Sequence, residues 1–102
     1  LFRKRRAQRP TAILASSDAV ALGVLRALSE AGRRVPDDIA VTGFDDLALA
    51  RLAHPPLTTI RQPLPAMIQA ALRAIGSRKA APAQFKPELV IRASTTRGAT
   101  TP

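Results

Sequence analysis

"TAILASSDAVALGVLRALSEAGRRVPDDIAVTGFDD", residues 11–46, is the stretch that decides the fold. "TAILAS" (11–16) is a short apolar run ending in hydroxyls and reads as a buried strand; Arg9-Pro10 ahead of it breaks any helix arriving from the N-terminus. Ser16, Ser17 and Asp18 offer side-chain oxygens of the kind that cap a helix. Ala21, Val24, Leu25 and Leu28 then fall at i, i+3, i+4 and i+7, one face of a helix over 18–31 that Gly32 should stop. "RRVPDD" (33–38) turns the chain into a second strand, "IAVTGF" (39–44), which runs into Asp45 and Asp46. Strand, helix and strand in this order predict a right-handed crossover with parallel strands. Both strands then finish on one edge of the sheet, which brings residues 16–18 beside residues 45–46. In open α/β sheets that edge is where ligands bind, and a helix N-terminus there supplies free N–H donors.

Outward from this unit, "LALARLAHPPLTTIRQP" (47–63) carries Pro55-Pro56, which forces an extended or turning path, with "LTTI" able to run as a strand-like connector. A second amphipathic helix follows: Leu64, Ile68, Ala71, Leu72 and Ile75 keep the helical period, and Pro65 is tolerated in the first turn. "SRKAAPAQFKP" reads as a loop, "ELVIRAST" (88–95) as a last strand, and residues 97–102 as a tail that frays. Gly23 inside the first helix costs stability against Ala and points to close packing on a neighbouring subunit or strand. Two parallel strands, a connector, a helix and one more strand do not make a sheet covered on both faces, which parallel strands ordinarily need. The expectation is therefore a truncated α/β fold, the end of a larger domain.

Composition narrows the function classes. At 102 residues the chain is one domain at most, and 46% apolar with 23% charged residues demands a core. Three Phe and no Trp or Tyr leave no stacking platform for single-stranded nucleic acid. The absence of cysteine rules out disulfides and thiolate metal sites and makes a reducing cytoplasm the expected compartment. No apolar run approaches the roughly 20 residues that span a bilayer, so no membrane partner is expected. The net charge is +9, but Arg3, Lys4, Arg5, Arg6 and Arg9 stand in the first ten positions. That basic arm, 1–10, reads either as a phosphate-binding tail or as the solvated end of a helix.

Asp45 is the strongest candidate for chemistry. An ionised carboxylate at a strand terminus can accept two sugar hydroxyls; the alternative is a loop aspartate capping the next turn, and Asp46 is equally suited to that cap. Catalysis is not expected. Adjacent residues of an extended strand point to opposite faces, so Asp45 and Asp46 are poorly placed to share a metal or a proton. His54 is the single histidine, too few for a zinc site and without a nucleophile at a recognisable spacing. Neither metal nor cofactor is expected.

The ordered blocks "PTAILASSDAVALGVLRALSEAGRRVPDDIAVTGFDD", "PPLTTIRQP" and "ELVIRAST" resemble the C-terminal part of lactose-repressor/galactose-repressor (LacI/GalR) family regulators over about residues 10–96. The resemblance implies a partial periplasmic-binding-protein-like (type I) fold: two α/β subdomains joined by crossovers, with a small effector in the cleft. It places 11–57 in the C-terminal subdomain, 58–62 in a crossover, 63–80 in a helix of the N-terminal subdomain, and 86–96 in a crossover with its returning strand. It implies ligand contacts for Asp45, Gln62 and Leu64, with Asp18 and Ser17 beside them, although Ser17 stands where the family usually carries Asn. Val20, Val24, Leu47, Leu49 and Leu52 would belong to a homodimer surface. The implied function is effector binding (a sugar, sugar phosphate, nucleoside or purine) and dimerisation in an allosteric transcriptional regulator, with operator DNA read by a helix-turn-helix this chain lacks. The alternatives are a fragment of a periplasmic sugar-binding protein and a small basic nucleic-acid binder.

Overall fold

The computed structural model describes residues 9–77 and 82–97. Most of the basic arm and nearly all of the tail, residues 1–8 and 98–102, lie outside the described residues, as does the end of the expected second helix. The elements are β1 (Ala12–Leu14), α1 (Asp18–Glu30), β2 (Ala40–Thr42), α2 (Ala48–Leu52), β3 (Thr59–Arg61), α3 (Leu64–Ile75) and β4 (Glu88–Val90).

β1 and β2 pair in parallel, Ala12 opposite Ala40 and Leu14 opposite Thr42, as the crossover predicts. Thr42 also bridges in parallel to Thr58, and the Gly43 and Asp45 amides donate to the Thr58 and Ile60 carbonyls, each at 2.9 Å. The connector thus lies along β2 before β3 pairs antiparallel with β4, Arg61 opposite Glu88.

α1 starts where its cap allows: Ser17 is extended and its Oγ accepts from the Val20 amide at 3.2 Å, satisfying one of the donors a helix leaves free. It ends on Gly32, whose φ of +70° is cheap only without a Cβ. Its apolar stripe, Ala21, Leu25 and Leu28, packs with Ile39, Val41, Ala50 and Leu57 into the core. Each large aliphatic side chain so buried contributes about 1.5–3 kcal/mol.

Four features differ from the expectations or add to them. The strands are shorter than their apolar runs. The last one ends at Val90 rather than Thr95, because side chains replace the ladder: Thr58 Oγ1 accepts from the Arg92 amide and Ser94 Oγ accepts from the Thr58 amide, each at 2.8 Å. "ALARL", for which no element was expected, is a short helix ahead of Pro55-Pro56; its residues are good helix formers and the Leu47 amide at its start is held by Asp18 Oδ2 at 2.7 Å. Gly23 faces open space, with nothing within 4 Å of an added Cβ, so among the described residues no strand packs against it. Finally, α3 keeps its predicted period but buries none of its residues. Leu64, Ile68, Leu72 and Ile75 are more than half exposed.

Candidate functional site

Asp18 opens α1 at the carboxyl end of β1 and is fully buried. Its amide donates to the Phe44 carbonyl at 2.9 Å, so the end of the first strand sits against the end of the second. Its carboxylate is spent inside the protein: Thr59 Oγ1 donates to Oδ1 at 2.6 Å and the Leu47 amide to Oδ2 at 2.7 Å. The expected ligand contact from Asp18 is therefore corrected, since both oxygens are engaged and neither is accessible. Gly43 makes room for this arrangement. A Cβ there would collide with Asp18 Oδ1 and stand 2.9 Å from Leu57 Cδ2.

The chain after Gly43 turns through two residues with positive φ, Asp45 at 116° and Asp46 at 55°. Non-glycine residues held in such regions cost on the order of 1–3 kcal/mol each. Hydrogen bonds from three successive amides fix the turn: Asp45 to the Ile60 carbonyl at 2.9 Å, Asp46 to Thr59 Oγ1 at 3.3 Å, and Leu47 to Asp18. A left-handed turn, rather than the pleat of an extended strand, is what separates the two carboxylates.

They have different partners. Asp45 Oδ1 accepts from Gln62 Nε2 at 2.9 Å, and both side chains are only partly buried. Asp46, with its side chain 4% exposed, accepts from Arg61 Nε at 2.8 Å and faces Arg92 Nη2 at 2.8 Å. Burial pushes the Asp46 carboxyl up, but the hydrogen bond from Arg61 and the charges of Arg92 and Arg61 outweigh it and hold the group below the usual carboxylate value. Asp46 does not cap α2. Asp18 does.

Of the candidates read from sequence, Asp45 and Gln62 are brought together. Leu64 follows at the start of α3, half exposed, and Ser17 caps α1 with an Oγ whose proton is still free to donate. Val20, Leu47, Leu49 and Leu52 are exposed, while Val24 packs partly against the chain's own core. His54 is exposed, beside Pro55. Among the described residues no three His, Cys, Asp or Glu side chains converge on a point, and no helix is long and apolar enough to cross a membrane.

Sequence reasoning missed Arg92 and Thr59. Arg92 is fully buried, with Nη1 donating to the Leu57 carbonyl at 3.1 Å and Nη2 against Asp46. A lone arginine inside an otherwise apolar final strand, "LVIRA", was the available signal, because such a residue stays in a core only when paired.

Residues 1–101 match the periplasmic binding protein-like domain model. The transcriptional regulator MalR of Streptomyces coelicolor is 48% identical over 91 residues, covering 83% of this chain and 26% of MalR. A LacI family regulator from Lactobacillus casei, solved with bound glucose, superposes with a TM-score of 0.75 at 42% identity over 90% of this chain and 34% of its own. The regulator CelR in complex with cellobiose gives 0.76 at 34% identity, over 82% of this chain and 28% of its own. The chain spans about a quarter to a third of the length of these proteins.

Proposed function

The chain belongs to the periplasmic binding protein-like family, among the LacI-type regulators, and from that premise we propose that it forms one wall of an effector cleft in a transcriptional regulator. The observation that carries this reading is the Asp45–Gln62 pair. A carboxylate from the strand edge and a carboxamide from the connector, 2.9 Å apart and both partly exposed, present an acceptor and a donor at the spacing of neighbouring sugar hydroxyls. The effector class is a sugar, in keeping with relatives solved with glucose, cellobiose, sucrose and lactose.

In this reading Asp45 and Gln62 contact the effector and Leu64 lines the apolar side. Ser17 adds a hydroxyl at the rim, and Asp18 frames the site without touching the ligand. Residues 11–57 belong to one subdomain, 58–62 and 86–96 to crossovers, and 63–80 to the other subdomain. Val20, Leu47, Leu49 and Leu52, with Val24 at the margin, form a homodimer surface. Operator DNA is read by a helix-turn-helix outside these residues, in the cytoplasm, and no reaction is catalysed. Effector binding acts by favouring one arrangement of the subdomains over the other.

Calorimetric titration with glucose, sucrose, cellobiose and lactose tests the reading. At least one should bind, and Asp45→Ala should weaken that sugar by about tenfold or more, as expected when a charge-assisted hydrogen bond is lost. Heat-free titrations with all four, or undiminished binding by the variant, would remove the sugar-site assignment. Leu49→Lys should shift the sedimenting species toward monomer if the dimer surface is correct.

A further inference from the structure

The loop that carries Asp45 is held in a conformation its own residues do not favour, with φ of 116° at Asp45 and 55° at Asp46. The residue that reaches it from farthest along the chain is Arg92, two positions beyond β4 and fully buried. Its guanidinium joins two places at once: Nη1 donates to the Leu57 carbonyl at 3.1 Å, where the connector begins, and Nη2 lies 2.8 Å from Asp46 Oδ1. The other Asp46 oxygen takes Arg61 Nε at 2.8 Å, and Arg61 Nη1 reaches Glu88 Oε2 at 3.8 Å across the β3–β4 pair. One carboxylate is thus clamped between a cation from β3 and one from the segment after β4, at the residue next to Asp45.

We infer that the Arg92–Asp46–Arg61 cluster positions the effector-binding carboxylate: it holds the left-handed turn at Asp45 and Asp46, and so aims the Asp45 side chain at Gln62, without any of the three touching the effector. The inference rests on the assignment of Asp45 as an effector contact. The physical reason is that a buried ion pair is weak as a source of stability but strict about geometry: its charges are tolerated only where each finds its partner. Asp46 therefore cannot leave its two arginines, and Asp45 is carried with it. The cluster also ties the cleft to the two strands that would move if the subdomains closed, since Arg61 lies in β3 and Arg92 two positions beyond β4.

The test compares Arg92→Met, Arg92→Lys and Asp46→Asn in the full chain by site-resolved amide hydrogen exchange, alongside the four-sugar titration. Arg92→Met should speed exchange at Asp45, Asp46 and Leu47 by about tenfold or more relative to Ala15 and Ala40, whose amides belong to the β1–β2 ladder. Arg92→Lys should restore part of the protection. The sugar bound by the wild type should weaken about ten- to a hundredfold, taking the range seen when groups that orient metal-holding side chains are removed. Exchange at 45–47 that is unchanged, or that rises no more than at Ala15 and Ala40, overturns the inference, as does unaltered affinity alongside faster exchange. If Arg92→Met does not fold, Asp46→Asn, of the same shape without the charge, is read by the same criteria. Should the wild type bind none of the four sugars, the sugar reading fails while the exchange measurement still decides whether the cluster holds the turn.

Discussion

α1 and α3 are nearly the same length, 13 and 12 residues, and both carry an apolar stripe at helical spacing, yet they end in opposite situations. α1 buries Asp18, Ala21, Leu25 and Leu28 against β2, α2 and the connector. α3 buries nothing, and Ile75 at its end is 83% exposed. The difference teaches that periodicity locates the face of a helix but not its partner. The Cα radius of gyration, 17.2 Å, exceeds the roughly 13 Å of a compact domain of about 100 residues, as expected when one body has a core and an arm beside it does not. In the solved relatives the matched segment is about a third of the chain.

The contrast between body and arm can be broken by substitution. The largest effect should come at the root of the body, where Asp46→Ala leaves Arg92 buried without its partner. About 3–5 kcal/mol should be lost in a denaturant titration. The same pair gives a pH test. The Asp46 carboxyl lies below its ordinary value of 3.8 in the folded chain, so its contribution is complete above that value and disappears as pH falls through the lower folded one. Stability of the wild type should drop in that acid window, and Asp46→Ala should flatten the drop.

Leu28→Ala comes next. The side chain is 2% exposed in the α1 core, and a cavity there should cost about 2–5 kcal/mol. Ser17→Ala removes the cap of α1 and should cost about 1 kcal/mol by the same measurement. The smallest effect should be Leu72→Ala on α3, which should shift the stability of this chain by less than about 0.5 kcal/mol because the side chain is 64% exposed. A loss like that of Leu28→Ala would mean that the arm is packed after all and would end the comparison.

Much of the body was legible in the residues. The i, i+3, i+4, i+7 spacing, the hydroxyls before it and Gly32 after it located α1 nearly to the residue, and chain handedness brought the ends of β1 and β2 together. Asp45 and Gln62 were both named, and they meet. The role of Asp18 was misread because its neighbours Leu47 and Thr59 are 29 and 41 residues away, and nothing local reports that its oxygens are already taken. Arg92 was passed over for the same reason: its partner precedes it by 46 positions. The short helix α2 was hidden by the two prolines after it, which drew attention to the break and away from the helix-forming residues before it.

The sequence by itself determined the local elements, their order, and the handedness that gathers two strand ends on one edge, since these follow from backbone sterics, capping and hydrophobic period within a few turns. Only the tertiary structure decided which of the clustered acids keeps a partly exposed side chain. Asp45, Asp46 and Asp18 are chemically alike, and what separates them is the hydroxyl, amide or guanidinium that long-range packing brings to each.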